Sequence, residues 1–169
     1  FDFDKLSSLN AHYLKASPNE HLVDLIQPGI EKILEIAIDT TARTRLIDAM
    51  TSLKHRVRTL NELIHIALFY VQSRPLVLDD KAAKLLTDDA RRLLALLADF
   101  LVALDPWSTE SIDAAIHDFA DKESVKLGQI AQPLRAALCG TTASPGIFEV
   151  AGILGKDEVL GRLGDVMAT

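Results

Sequence analysis

Apolar side chains recur along this chain at spacings of three and four, the period of a helix with one buried face. Asp4 predicts the cap of a first helix from Lys5 to about Lys15, with Leu6, Leu9 and Tyr13 on one face. Ser17-Pro18-Asn19-Glu20 reads as a capping box with proline at the first helical position. It opens a helix carrying Leu22, Val23, Leu25 and Ile26, expected to stop before Pro28-Gly29. A third helix is expected from about Ile30 to Ile38. Asp39-Thr40-Thr41 starts a fourth that runs to about His55, with Leu46, Ile47, Met50 and Leu53 as its buried stripe. Thr59-Leu60-Asn61-Glu62 is another capping box, leading a helix to about Gln72. The apolar set of that helix (Leu63, Ile64, Ile66, Ala67, Tyr70, Val71) wraps much of its circumference, as in a central helix.

Ser73-Arg74-Pro75 breaks the pattern and divides the chain into two helical subdomains, 1–75 and 76–169. In the second, Asp79-Asp80 opens a short helix to about Leu86, and Thr87 caps a longer one to Ala103 or Leu104. Ser108 or Thr109 caps a helix to about Asp121, with Ile112, Ala115, Ile116 and Phe119 at helical spacing. Ala131–Leu138 is helical, interrupted by Pro133 and ended by Gly140. Ser144-Pro145 then starts another helix, serine as its cap and proline in its first turn. A last helix spans about Asp157 to Val166 and is interrupted or frayed near Gly161 and Gly164. No run alternates strictly enough for a strand, and no Asn-Gly or Asp-Gly hairpin signal occurs. The expected class is all-α: about ten helices in two parts, with no sheet.

Composition agrees with packed helices: 49% of the 169 residues are hydrophobic and 5% aromatic. The formal net charge of −6 provides no overall attraction to nucleic acid, so any such contact needs a local basic cluster. One cluster is Lys54, His55, Arg56 and Arg58, at a helix end where cations are also favoured by unpaired carbonyls. The single cysteine, Cys139, excludes an internal disulfide and fits a reducing cytoplasm. Leu93–Leu104 is the most apolar stretch, about half the length of a membrane span and holding Asp99.

Candidate catalytic chemistry is absent from the residues. His12, His21, His55, His65 and His117 have no short metal-ligand spacing, and one cysteine makes no zinc site. There is no glycine-rich phosphate loop between a strand and a helix. The acidic pairs Asp79-Asp80 and Asp88-Asp89 belong to helix N-termini. What remains is Lys126–Leu154, which brings an arginine (Arg135) and a helix N-terminus close along the chain. Both suit an anionic or base-bearing partner.

That stretch also carries a resemblance. Lys-Leu-Gly-Gln-Ile-Ala-Gln-Pro-Leu-Arg-Ala-Ala-Leu-Cys-Gly, followed by Ser-Pro-Gly-Ile-Phe-Glu-Val and Leu-Gly-Lys, closely resembles the C-terminal region of bacterial glutamyl-tRNA synthetases. Phe1–Leu6 with Asn10 and Tyr13, Lys54–Leu60, and Pro106-Trp107-Ser108 with Phe119 are similar to the family in the same order. The family's HIGH and KMSKS signatures for ATP are not in this chain, and Lys5-Leu6-Ser7-Ser8 matches the helical opening instead. The resemblance implies a two-part helical cage that binds the anticodon loop of tRNA-Glu and is inactive without a catalytic N-terminal part. ATP and magnesium would belong to that part; this chain is expected to hold no metal or cofactor.

By motif match, the resemblance implies that Arg56 reads the third anticodon base. It assigns the first two to Arg135, Ser144, Pro145 and Ile147, with Lys54 and Arg58 as additional RNA contacts. Ser144 and Ile147 stand where relatives carry threonine and leucine, and Cys139 where threonine is frequent. Arginine at the position of Arg56 further implies rejection of tRNA-Gln, whose third anticodon base is guanine. The expected state is a cytoplasmic monomer with no membrane partner. The composition alone also allows a helical protein-interaction module that binds no RNA.

Overall fold

The computed structural model describes residues 2–168, and the described residues are helical, with no strand. The chain divides into two compact units, Phe1–Gln72 and Ser73–Thr169.

The first unit holds α1 (Phe3–Ala16), α2 (Asn19–Leu34), α3 (Thr40–Leu53) and α4 (Leu60–Ala67), then a 3-10 turn at Leu68–Tyr70. The helix α1 begins earlier than expected because Asp2, not Asp4, is its cap and accepts from the Lys5 amide. Ser17 does not cap α2. Its hydroxyl donates to the Tyr13 carbonyl and so closes the end of α1 instead. Two expected helices are one: α2 runs straight through Pro28. A proline inside a helix costs about 3 kcal/mol. Val23, Ile26 and Ile30 on either side of it are each fully buried, at about 1.5–3 kcal/mol apiece, and packing wins. Gly29 lets α4 come close, since a Cβ there would lie 2.6 Å from Ile64 Cδ1. The helix stops at Glu35, whose φ of 54° is left-handed, so Ile36–Ile38 is irregular rather than helical. The core of the unit is Leu22, Val23, Ile26 and Ile30 against Leu46, Met50 and Leu53 of α3 and Leu63 of α4.

The second unit holds α5 (Asp80–Leu85), α6 (Asp88–Val102), α7 (Thr109–Glu123), α8 (Leu127–Cys139), α9 (Ile147–Leu154) and α10 (Lys156–Met167). Asp79, Thr87 and Ser108 cap their helices by accepting from Ala82, Ala90 and Ser111 amides. The helix α6 packs on α8 and α10, and α7 packs on α9. Leu94, Leu97 and Leu101 therefore meet Leu134, Leu138 and Leu163 in a common core. Pro133 does not interrupt α8, which starts at Leu127, where the Lys126 amide donates to Gln129 Oε1. Nor does Gly161 interrupt α10. A Cβ there would sit 1.8 Å from Arg74 Nη1, so the missing side chain makes room for a guanidinium 3.8 Å from both Glu158 and Asp165. No helix among the described residues is long and apolar enough to cross a membrane.

Candidate nucleic-acid interface

In the first unit the basic cluster lies where α3 ends. Lys54, Arg56 and Arg58 all have fixed backbones. Lys54 and Arg56 donate their amides to Met50 and Leu53 carbonyls, and the Arg58 amide donates to Glu62 Oε2 at 2.8 Å. Glu62 thus reaches back one residue further than a capping box requires, while Thr59 Oγ1 accepts from the Glu62 amide. Val57 is buried and pins the middle of the loop. The outcome is a short rigid loop with His55, Arg56 and Arg58 exposed. The Lys54 ammonium is committed to structure: it donates to the Ser17 carbonyl at 3.0 Å.

In the second unit the other candidates come together at one turn. The helix α8 presents Arg135 and closes at Gly140, whose φ is +71°. Arg135 Nε donates to Ser144 Oγ at 2.9 Å, and Ser144 Oγ donates to its neighbour's carbonyl, Pro145 O, at 2.7 Å. Ser144 is therefore not the cap of α9. The helix begins at Ile147 with Gly146 before it and no side-chain cap. The hydroxyl instead orients the guanidinium, whose planar fork still directs its terminal nitrogens elsewhere. Pro145 and Ile147 are buried and hold the turn from beneath, while Ala143 and Gly146 are exposed on it. A Cβ on Gly146 would meet nothing within 4 Å, so the backbone here is open to a flat partner. A donor fork beside a helix start and an open backbone can grip the acceptor-rich edge of an unstacked base.

Two supports of this turn are not visible in its own sequence. Arg162 of α10 is buried and donates to the Leu138 carbonyl at 2.6 Å, placing a cation on the end of α8. The only local signal was Glu158, four residues earlier, which accepts from Arg162 Nε at 2.7 Å. Trp107 Nε1 donates to the Ala151 carbonyl at 3.0 Å and ties α9 to the start of α7. Cys139 lies under the same turn. Burial pushes its thiol up to about 11, against the opposing hydrogen bond to Ser144 and the charges of Arg162 and Arg135. It is a packed thiol, not a nucleophile, at neutral pH.

His117 of α7 stands beside Phe148 of α9, ring centroids 6.1 Å apart. The Asp113 carbonyl at 2.9 Å raises its pKa, helped by the Asp113 carboxylate at 2.8 Å and by Asp121. A raised value means that the contribution of the pair to stability is complete below the unfolded pKa. It is lost as pH climbs through the folded one. In an NMR titration the His117 ring should have a midpoint above the ordinary histidine value. Asp113→Asn should lower it while leaving the carbonyl bond; an unchanged midpoint would refute the carboxylate's share. Among the described residues no group of three or more His, Cys, Asp or Glu could hold a metal ion.

The fold is an all-helical domain, and its turn holds the Arg135 guanidinium beside an open stretch of backbone. The chain belongs to the family described as "Anticodon binding domain", whose model matches residues 10–167. It is 46% identical over 168 residues to glutamate–tRNA ligase 2 of Zymomonas mobilis subsp. mobilis, covering 99% of this chain and 35% of that protein. A glutamate–tRNA ligase of Bradyrhizobium sp. is 48% identical over 170 residues, with 98% of this chain and 36% of that one covered. A crystal structure of a glutamate tRNA ligase from Elizabethkingia meningosepticum has the same fold, with a TM-score of 0.80 at 22% identity. It is covered for 33% of its length. The chain thus spans about a third of the length of the relatives it matches.

Proposed function

We propose that this chain is the anticodon-recognition module of a glutamate–tRNA ligase, binding tRNA-Glu through its anticodon loop. The observation that carries this reading is the Arg135–Ser144 pair, held at 2.9 Å beside an open turn in a chain of the anticodon-binding family. Arg135 and the turn 143–146 take the first two anticodon bases. Pro145 and Ile147 act by shaping that turn, since both are buried. Arg56 takes the third base, with Arg58 beside it, and Lys54 braces the loop. Arginine fits cytosine because its donors meet cytosine's acceptors. The Watson–Crick donors of guanine would repel it, which supports rejection of tRNA-Gln. RNA sequence is read best at such loops, where bases are unstacked. Glutamate, ATP and magnesium are assigned to the remainder of the full-length ligase.

The test is a titration of the chain and of the full-length ligase with a tRNA-Glu anticodon stem-loop between 50 and 200 mM salt. Affinity should fall with log salt by about 0.7 log units for each phosphate contacted. Failure of both proteins to bind at the lowest salt would favour the protein-interaction reading. In the full-length ligase, Arg56→Ala should lose about 1–3 kcal/mol of discrimination at the third anticodon position. Equal losses for all four bases would reduce Arg56 to a phosphate contact.

A further inference from the structure

The helix α1 is amphipathic in sequence, yet much of its apolar face stays exposed within its own unit. Phe3, Leu6, Leu9 and Tyr13 fall at spacings of three and four, one stripe of a helix. They are 74%, 43%, 64% and 51% exposed. Leu14 alone is buried. The main helix packings of the unit join α2, α3 and α4 and leave α1 out. Leu6 and Leu9 line a shallow, open depression together with Asp2, Lys5, Ser8 and His12.

A contiguous apolar stripe of this kind marks an interaction site rather than ordinary surface. We infer that the exposed face of α1 is the seat of the preceding part of the full-length ligase, which packs over Phe3, Leu6 and Leu9. This rests on the reading of the chain as one module of that ligase.

Three observations select this occupant. The family match begins at residue 10, so the half of α1 carrying Phe3, Leu6 and Leu9 lies outside the anticodon-binding stretch itself. The relatives extend over roughly three times the matched length, 35% and 36% being covered here, and the match falls in their C-terminal part. The size of the stripe is the third. One face of four side chains offers on the order of a few hundred Å², against about 800 Å² per partner in a stable independent interface. A separate protein or a second copy would hold weakly to so small a patch. A segment of the same polypeptide has an effective concentration of about millimolar and needs no more.

The other end of α1 gives the arrangement a use. Tyr13 Oη is 3.1 Å from His21 Nε2, and Ser17 after the helix receives the Lys54 ammonium at 3.0 Å. Lys54 starts the loop that carries Arg56. One helix then has its first half on the neighbouring part and its last turn latched to the proposed third-base loop.

Hydrogen exchange tests the assignment, comparing α1 amides in the 169-residue chain and in the full-length ligase. Exchange over residues 6–13 should be at least about tenfold slower in the full-length protein, with α4 amides unchanged as the internal control. The double variant Leu6→Ser, Leu9→Ser should abolish that difference. In the 169-residue chain, where both side chains are exposed, it should leave the melting midpoint unchanged. Equal exchange in the two wild-type proteins overturns the inference. So does sedimentation showing that the isolated chain dimerises through Leu6 and Leu9 while the full-length α1 remains unprotected. Stem-loop binding measured in parallel separates the two claims: a chain that binds RNA but shows no α1 protection refutes the docking alone.

Discussion

Arg162→Ala is expected to destabilise the protein by about 3–5 kcal/mol, the cost of removing one partner from a buried charged pair. The side chain is 1% exposed and serves two acceptors, Glu158 Oε1 at 2.7 Å and the Leu138 carbonyl at 2.6 Å. Truncation leaves both without that donor and opens a void between α8 and α10. Arg74, 3.8 Å from Glu158, can offset only part of the loss because it is itself largely at the surface. The double variant Arg162→Met, Glu158→Gln should recover part of the stability, since it removes the stranded charge and refills the volume. Urea unfolding followed by circular dichroism measures both. A loss below about 1 kcal/mol for Arg162→Ala would show that the pair does not anchor α8. The same variant should weaken stem-loop binding without touching RNA, because α8 carries Arg135 just one turn before the anchored carbonyl.

Gly140→Val should cost about 2–5 kcal/mol. The φ of +71° is left-handed, a region that costs a side-chain-bearing residue roughly 1–2 kcal/mol. A Cβ would also stand 2.7 Å from the Val77 carbonyl oxygen. That oxygen is backbone, and its segment is held in place by the Asp79 amide donating to the Gly140 carbonyl at 2.9 Å. Relief therefore means moving residues 76–79 away from the end of α8, about 1–3 kcal/mol more. Gly140→Ala should carry most of the same penalty, since the clash is already present at Cβ. Gly128→Ala is the control: nothing lies within 4 Å of its Cβ position, and it should be neutral or slightly stabilising. If Gly140→Ala behaved like Gly128→Ala in thermal melts, this close approach would not matter to the fold.

Helix starts were legible where one side chain had one use. Asp39, Thr59, Asp79 and Thr87 cap the helices whose starts they mark, and of the two candidates Ser108 and Thr109 it is Ser108 that caps. Each accepts from the amide three residues on, the nearest free donor of the first turn. Ser17 and Ser144 carry the same cap signature in sequence and do otherwise. Ser17 bonds back to Tyr13, and Ser144 is engaged by Arg135, nine residues earlier in the chain. The expected helix breaks do not occur, for a related reason. Pro28, Pro133 and Gly161 have poor helix propensity, but burial of neighbouring stripes, or a guanidinium lying over the glycine, outweighs it.

The sequence by itself determined the all-helical class, most helix starts, the family, and the residues proposed to meet RNA. These depend on short-range periodicity, on capping chemistry, and on a motif long enough to be specific. Only the tertiary structure decided what those residues touch and which of them are buried. It placed Ile147 and Pro145 inside, gave the Ser144 hydroxyl to Arg135, buried Arg162 under the end of α8, and left the apolar stripe of α1 exposed. The physical reason is common to all four. A side chain's local pattern states which groups it can satisfy, but the partner that claims it is chosen by packing between segments far apart in the chain.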